Sequence, residues 1–210
     1  MDVSALSIWQ IWQAGGPMMW PLAVISIAGA ALIIERLWFL KQLRIDLVQF
    51  QGLLFDRIKH HRIKEAVQLC DGAHHPIANV LKAAIVKYDR PRSQVKEAME
   101  DAALYELPKL HKNLVALQTL ANVAPLLGFL GTVLGFVRVF GVIRAHSAAA
   151  LPVTATDISA GVMEALLATA AGLMIAVPVF IAYNFLVSRV NAFILEMEQS
   201  ATELVNFLSE

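Results

Sequence analysis

The chain has 210 residues, of which 58% are hydrophobic and 16% are charged, and its formal net charge at pH 7 is zero. Such a composition is too apolar for an ordinary soluble domain, and the apolar residues are gathered in blocks, as they are in membrane proteins. The single cysteine, Cys70, excludes an intramolecular disulfide, and the interleaving of basic with acidic residues excludes the basic surface of a nucleic-acid-binding protein.

The first apolar block predicts a membrane span. Residues 1–16 form a short amphipathic segment with tryptophans. This segment is predicted to lie at the membrane–water interface, on the outer side of the membrane that the chain spans. Residues 17–40 follow as transmembrane helix 1, and Glu35 and Arg36 are expected to form a local ion pair at its exit. Fourteen of the seventeen Lys and Arg residues lie between Arg36 and Lys112. The positive-inside rule therefore places that stretch in the cytoplasm and the N-terminus outside.

Residues 41–113 are predicted to form a cytoplasmic helical region. Apolar residues at helical spacing predict that the first helix runs on beyond the membrane. Shorter helices are predicted at 63–69 and 76–88, separated by Asp71-Gly72. A turn is predicted at residues 89–91.

Two histidine pairs, His60-His61 and His74-His75, flank Cys70 in this region. Adjacent residues do not share a helix face, and no spacing typical of metal ligands is present. The histidines are therefore predicted to be solvated surface residues, and no metal or cofactor is predicted.

The second span is predicted at residues 114–140. No strong stop signal follows Ser93, so a single long helix is expected to enter the membrane near Leu114 and to be bent, but not ended, by its prolines. A loop outside the cell is predicted at 141–156. Polar side chains in a span either join helices by hydrogen bonds or line a pathway. The small and polar residues of this span include Gln118, Asn122, Gly128, Gly131, Thr132 and Gly135.

The third span is predicted at residues 157–188, with Thr156 and Asp157 as caps. Glu164 lies about two turns inside it, where an acid is unfavourable by roughly 2.5–3.5 kcal/mol on insertion scales. Small residues at spacings of three and four form a stripe that lets another backbone approach, so Glu164 is expected to face protein. The stripe contains Gly161, Ala165, Ala168, Thr169, Gly172 and Ala176.

The third helix is predicted to continue into the cytoplasm as residues 189–210. Apolar residues repeat there at alternating spacings of three and four, which is typical of a coiled-coil-like seam. The seam either packs on the chain's own cytoplasmic helices or contacts neighbouring copies. Its residues are Val190, Phe193, Met197, Ala201, Leu204 and Leu208.

The polar residues of the two hairpin spans suggest a proton relay. A hairpin centred near Ala148 would bring Thr132 and Glu164 to a similar depth in the outer half of the bilayer. Glu164 could carry a proton, and the hydroxyls of Thr132 and Thr169 could pass it or order water. The alternative is that the carboxyl and hydroxyl groups only hold the helices together.

Three stretches of the sequence resemble the MotA/TolQ/ExbB family of proton-channel subunits, and most of all its ExbB-type members with three spans. They are GGPMMWPLAVISIAGAALIIERLWFL, APLLGFLGTVLGF and GVMEALLATAAGLMIAVPVFIAYN. By this resemblance, the pore-facing threonine of the second span falls on Thr132, and the acid and threonine of the third span fall on Glu164 and Thr169. A MotA-type stator has four spans, so that branch is disfavoured.

The resemblance implies an all-α inner-membrane protein with three transmembrane helices and long cytoplasmic extensions, periplasmic at its N-terminus and cytoplasmic at its C-terminus. It implies a ring of five copies around a pair of single-span ExbD-type helices. Their aspartate would take the driving proton, and a TonB-type protein would carry the work to outer-membrane transporters. A TolQ-type role in a Tol-Pal envelope system and a passive oligomeric scaffold remain alternatives. No nucleophile–base arrangement or phosphate-binding loop predicts an enzyme.

Overall fold

The computed structural model describes residues 8–43, 47–73 and 75–208, and the regular structure within these ranges is helical. Predictions that concern the first seven residues, His74, the side chain of Leu208 or the last two residues lie outside the described part. The helices are α1 (Ile8–Ala14), α2 (Met19–Gln42), α3 (Leu47–Lys59), α4 (Ile63–Ala73), α5 (Pro76–Val86), α6 (Arg92–His111), α7 (Leu114–Ala148) and α8 (Ala155–Leu208).

Three stretches are long and apolar enough to cross a membrane, namely Met19–Gln42, Arg92–Ala148 and Ala155–Phe207. The prediction of an all-α membrane protein with three spans is therefore confirmed. The chain divides into two compact units. The first unit comprises the residues up to Glu35 together with Asn113–Phe185, and the second unit comprises Arg36–Lys112 together with Leu186–Glu210.

The first unit is built from α1, most of α2, all of α7 and the first part of α8. Its core is small, because Ile25, Ala124 and Ala176 are the buried residues of its central apolar cluster. Helix α2 packs closely on α8, since a Cβ added to Gly29 would lie 3.2 Å from Cγ2 of Val179. In α1, Trp12 meets Trp20 of α2 edge to face, with ring centroids 5.7 Å apart.

The second unit has a larger apolar core, to which α3, α4, α5 and α6 all contribute. Met197, Leu204 and Val205 of α8 are buried in the same core. Polar contacts add to this packing: Gln51 donates to the Ser200 hydroxyl at 2.6 Å. Of the two alternatives for the seam, packing on the chain's own helices is therefore confirmed for the described residues.

The single long helix predicted after Ser93 is interrupted by a short break, because α6 ends at His111 and α7 begins at Leu114 within the helical stretch Arg92–Ala148. The break falls at Asn113, whose φ of 63° is left-handed, a conformation that asparagine tolerates better than most residues. The Asn113 side-chain amide donates to a carboxylate oxygen of Glu35 at 2.9 Å, which fixes this turn.

Of two shorter predictions in the second unit, the first is corrected and the second is confirmed. Helix α4 continues through Asp71 and Gly72 to Ala73, because the helix cost of one glycine, about 1 kcal/mol, is small beside the burial of Cys70 in the core. The turn at residues 89–91 is present between α5 and α6.

The loop predicted at 141–156 is largely helical, because α7 continues to Ala148. Only residues 149–154 separate it from α8. Of the two predicted caps of α8, Asp157 does make hydrogen bonds at the start of the helix, and its partner is Thr154 rather than Thr156. The Asp157 carboxylate accepts from the Thr154 backbone N–H at 2.9 Å and from its hydroxyl at 2.6 Å.

Candidate functional site

Helices α7 and α8 pack with their backbones in contact, and glycines make this possible. A Cβ added to Gly128 would lie 3.1 Å from the carbonyl oxygen of Ala168, and one added to Gly172 would lie 2.7 Å from that of Ala124. A Cβ on Gly135 would lie 2.7 Å from the carbonyl oxygen of Gly161. Larger residues at these positions would force the two helices apart.

The other small residues that the sequence pointed to lie along the same contact. Gly131 faces the side chain of Ala168, and Gly161 faces Val139, whose Cγ2 lies 2.6 Å from the position of a Cβ. Ala165 packs on Gly135, and Ala176 is buried. The stripe on α8 and the glycines of α7 are thus brought together.

Glu164 lies in this contact with only 11% of its side chain exposed. One carboxylate oxygen, Oε2, accepts a hydrogen bond from Nη1 of Arg138 on α7. The other, Oε1, lies against Gly16, where a Cβ would overlap with it. Gly16 has a φ of +70°, so glycine is favoured there for its backbone conformation as well. The carboxylate therefore faces protein within the first unit.

The predicted level of Thr132 relative to Glu164 is wrong by about one helical turn. Gly131 packs against Ala168, so Thr132 lies near the level of Ala168 rather than of Glu164. The reason is the length of α7: its extension to Ala148 moves the centre of the hairpin toward the C-terminus. Arg138, not Thr132, is the polar residue of α7 that meets Glu164.

Both threonine hydroxyls donate to backbone carbonyls of α7. Thr169 donates across the helix contact to Gly128 at 3.1 Å, and Thr132 donates to Phe129 of its own helix at 2.6 Å. Gly128 and Thr132 are four residues apart and so lie on the same side of α7. Each hydroxyl oxygen keeps lone pairs that can accept a further hydrogen bond.

Arg138 is the functional candidate that the sequence reasoning missed. The signal that could have identified it is its place inside a span, where an arginine usually pairs with a carboxylate. Nearer the hairpin, Nε2 of His146 lies 3.6 Å from the Asp157 carboxylate. Ionisable side chains of α7 and α8 thus meet at two levels between the hairpin loop and the threonines.

The titratable groups of the second unit have structural roles. His75 is buried, contrary to the prediction that it is solvated: its Nδ1 accepts from Ile77 N–H at 3.3 Å as the cap of α5, and its Nε2 lies 2.8 Å from the carbonyl oxygen of Leu43. Burial lowers the pKa of His75, and burial raises the pKa of the Cys70 thiol to about 11. Glu106 is buried and accepts from Asn79 and Lys109. Within the ranges described above, no group of three or more His, Cys, Asp or Glu side chains could hold a metal ion.

Comparison with known proteins agrees with these features. A family model described as the MotA/TolQ/ExbB proton channel family matches residues 72–199. The ExbB-like 3 biopolymer transport protein of Synechocystis sp. is 32% identical over 175 residues, which cover 82% of this chain and 81% of the relative. The biopolymer transport protein exbB1 of Vibrio cholerae is 31% identical over 82% of this chain and 75% of its own length. The Tol-Pal system protein TolQ of Haemophilus influenzae is 38% identical over 51% of this chain and 46% of its own length.

Proposed function

Because this chain belongs to the MotA/TolQ/ExbB proton channel family, a family of multi-pass inner-membrane proteins, we propose that it is the channel-forming subunit of an energy-transducing complex. In this role the proton motive force drives mechanical work in a partner protein. The complex is of the ExbB–ExbD–TonB type and powers uptake across an outer membrane.

The observation that carries this proposal is the buried carboxylate of Glu164. It lies in an apolar helix and is enclosed by α7 and the turn at Gly16. A carboxyl group at such a position is unfavourable unless it is partnered or functional, and reversible protonation is the property that a proton pathway needs. Thr132 and Thr169 continue the proposed pathway from Glu164 away from the hairpin loop. Each has a hydroxyl oxygen that can accept a further hydrogen bond.

The ring assembly is supported by the apolar surface of the first unit. Large side chains of α7 and α8, such as Phe129, Leu166 and Met174, are more than 60% exposed in the single chain. Lipid or neighbouring copies have to cover them. Five copies around two ExbD-type helices is the arrangement that the resemblance implies. The clustering of basic residues between Arg36 and Lys112 supports a cytoplasmic second unit, a periplasmic N-terminus and a cytoplasmic C-terminus.

A TolQ-type role is the second candidate, because the similar proteins include one named for the Tol-Pal system. The two roles share the channel chemistry and differ in the partner that receives the work. Loss of the gene is expected to abolish energised uptake in the first case and to make the cell envelope leaky to detergent in the second.

The test of the channel function is Glu164→Gln in cells that contain the full complex. The change removes the ionisable group and keeps the shape, so we expect the work driven by the proton gradient to be lost while the oligomer still forms. Glu198→Gln is the matched control, because Glu198 lies on the same helix with an exposed side chain. Full work in Glu164→Gln would reject the channel function. Loss of the oligomer in Glu164→Ala, with no dependence on the proton gradient, would favour a passive scaffold.

A further inference from the structure

Arg138 places a permanent positive charge beside the proposed proton carrier. Its Nη1 donates to Oε2 of Glu164, and 56% of its side chain is exposed in the single chain, against 11% for Glu164. The opposite oxygen of the carboxylate is closed off by Gly16. Three segments, α7, α8 and the turn before α2, therefore hold one carboxylate in a single orientation.

The chemistry of the guanidinium sets a condition on proton transfer. Arginine stays protonated in proteins, so it cannot take the proton from Glu164 or return one to it. A proton on Glu164 would leave Arg138 as an uncompensated cation in an apolar span, which is unfavourable. Among the residues of the first unit that the structure describes, the other acid on the side of the hairpin is Asp157, which is already bonded to Thr154 and lies beside His146. The pair has to open, and Arg138 has to turn away, for Glu164 to load.

We propose that Arg138 is a positioning residue that acts as the counter-ion of Glu164, and that the closed pair locks the proton pathway until the partner helices engage. This inference rests on the proposed function. The exposed fraction of Arg138 and the flexible stem of its side chain give the guanidinium room to move, whereas Glu164 is confined by its neighbours.

The experiment measures proton flux into vesicles that contain the assembled full chain without its single-span partner, so that the pair is closed in the wild type. Arg138→Gln is expected to raise this uncoupled flux about fivefold, the factor that corresponds to roughly 1 kcal/mol for a half-exposed ion pair. It should also lower the work done in cells. Arg138→Lys keeps the cation and should restore a low flux. The matched control is Arg144→Gln, an exposed arginine of the same helix, for which no change is expected.

The double variant Arg138→Gln with Glu164→Gln decides whether the extra protons pass through the carboxyl, and its flux should fall to the level of Glu164→Gln alone. An unchanged proton flux in Arg138→Gln would contradict the proposal that the closed pair blocks the pathway. A double variant whose flux stays above that of Glu164→Gln would contradict it too. If Arg138→Gln does not assemble, an unchanged flux in an assembled Arg138→His at a pH that keeps its imidazole neutral would overturn it equally. If Glu164→Gln alone abolishes work while the arginine variants behave as wild type, the lock fails and the proposed function stands. Full work in Glu164→Gln would instead reject the proposed function itself.

Discussion

The contact between α7 and α8 predicts that Gly135→Ala will destabilise the protein. The added Cβ would lie 2.7 Å from the carbonyl oxygen of Gly161 and 3.1 Å from Cα of Ala165. Both are backbone atoms, which cannot rotate away as a side chain can. An ordinary contact is at least 3.4 Å, so the helices must separate by several tenths of an ångström. Overpacking of this kind costs about 1–3 kcal/mol.

Gly141→Ala on the same helix is the matched control, because no atom lies within 4 Å of the position of its Cβ. Replacing glycine by alanine inside a helix gains about 1 kcal/mol in both variants, so this gain cancels in their difference. We expect Gly135→Ala to be less stable than Gly141→Ala by about 1–3 kcal/mol. The measurement is unfolding of the detergent-solubilised protein followed by tryptophan fluorescence. A Gly135→Ala variant as stable as Gly141→Ala would refute the close contact.

Three further predictions concern the Gly16 turn and the second unit. Gly16→Ala should impair energised work, because a side chain there displaces the carboxylate of Glu164 and left-handed backbone costs a non-glycine residue about 1–2 kcal/mol. In Gly15→Ala the new Cβ would meet the Met19 side chain and, at an ordinary 3.4 Å, the Ile11 carbonyl oxygen, but not Glu164, so this variant should keep its activity. Equal activity of the two variants would contradict the packing of Gly16 on Glu164. Cys70 should resist alkylation at pH 7.5 in the folded protein, because burial raises the pKa of its thiol to about 11. After denaturation in SDS it should react, which mass spectrometry can show. Rapid labelling of the native protein would contradict the burial of Cys70. Burial lowers the pKa of His75 below its usual value of 6.5, so near this pH the unfolded chain binds a proton that the folded chain does not. The stability that the neutral ring contributes is therefore full above pH 6.5 and is lost as the pH falls below 6.5. As the pH is lowered from 8 to 5, the melting temperature should fall more steeply for the wild type than for His75→Asn. Identical slopes for the two proteins would exclude a contribution of the neutral His75 ring to stability.

The features that the sequence could predict are those that depend on local periodicity. The apolar length of α8 and its spacing of small residues are properties of one helix, and α8 is continuous from Ala155 to Leu208. The seam was recognisable in the same way, because Met197 and Leu204 recur at helical spacing and are both buried.

The features that the sequence could not predict depend on where elements stop and on tertiary contacts. The left-handed conformation of Asn113 is fixed by its bond to Glu35, a residue far away in the chain. His75 looked like a surface residue because its partner, the carbonyl of Leu43, lies just after the end of α2, 32 residues earlier in the chain. The residues before the hairpin loop contain no stop signal, so the end of α7 at Ala148 and the pairing of the two helices could be placed only within about one turn.

That one turn changes the chemistry expected at Glu164. With a threonine opposite, protonated Glu164 would leave no charge unpaired, and only loss of the proton would leave a carboxylate to be balanced. With Arg138 opposite, each proton that loads Glu164 leaves a cation without its partner, so loading has to coincide with the arrival of another anion. A carboxylate on a partner helix at this level would meet that need, as the aspartate of an ExbD-type partner would. Under the proposed function, this subunit would hold its own proton site closed. A carboxylate of the partner would then open the site by drawing Arg138 away, and the proton would be committed to useful work.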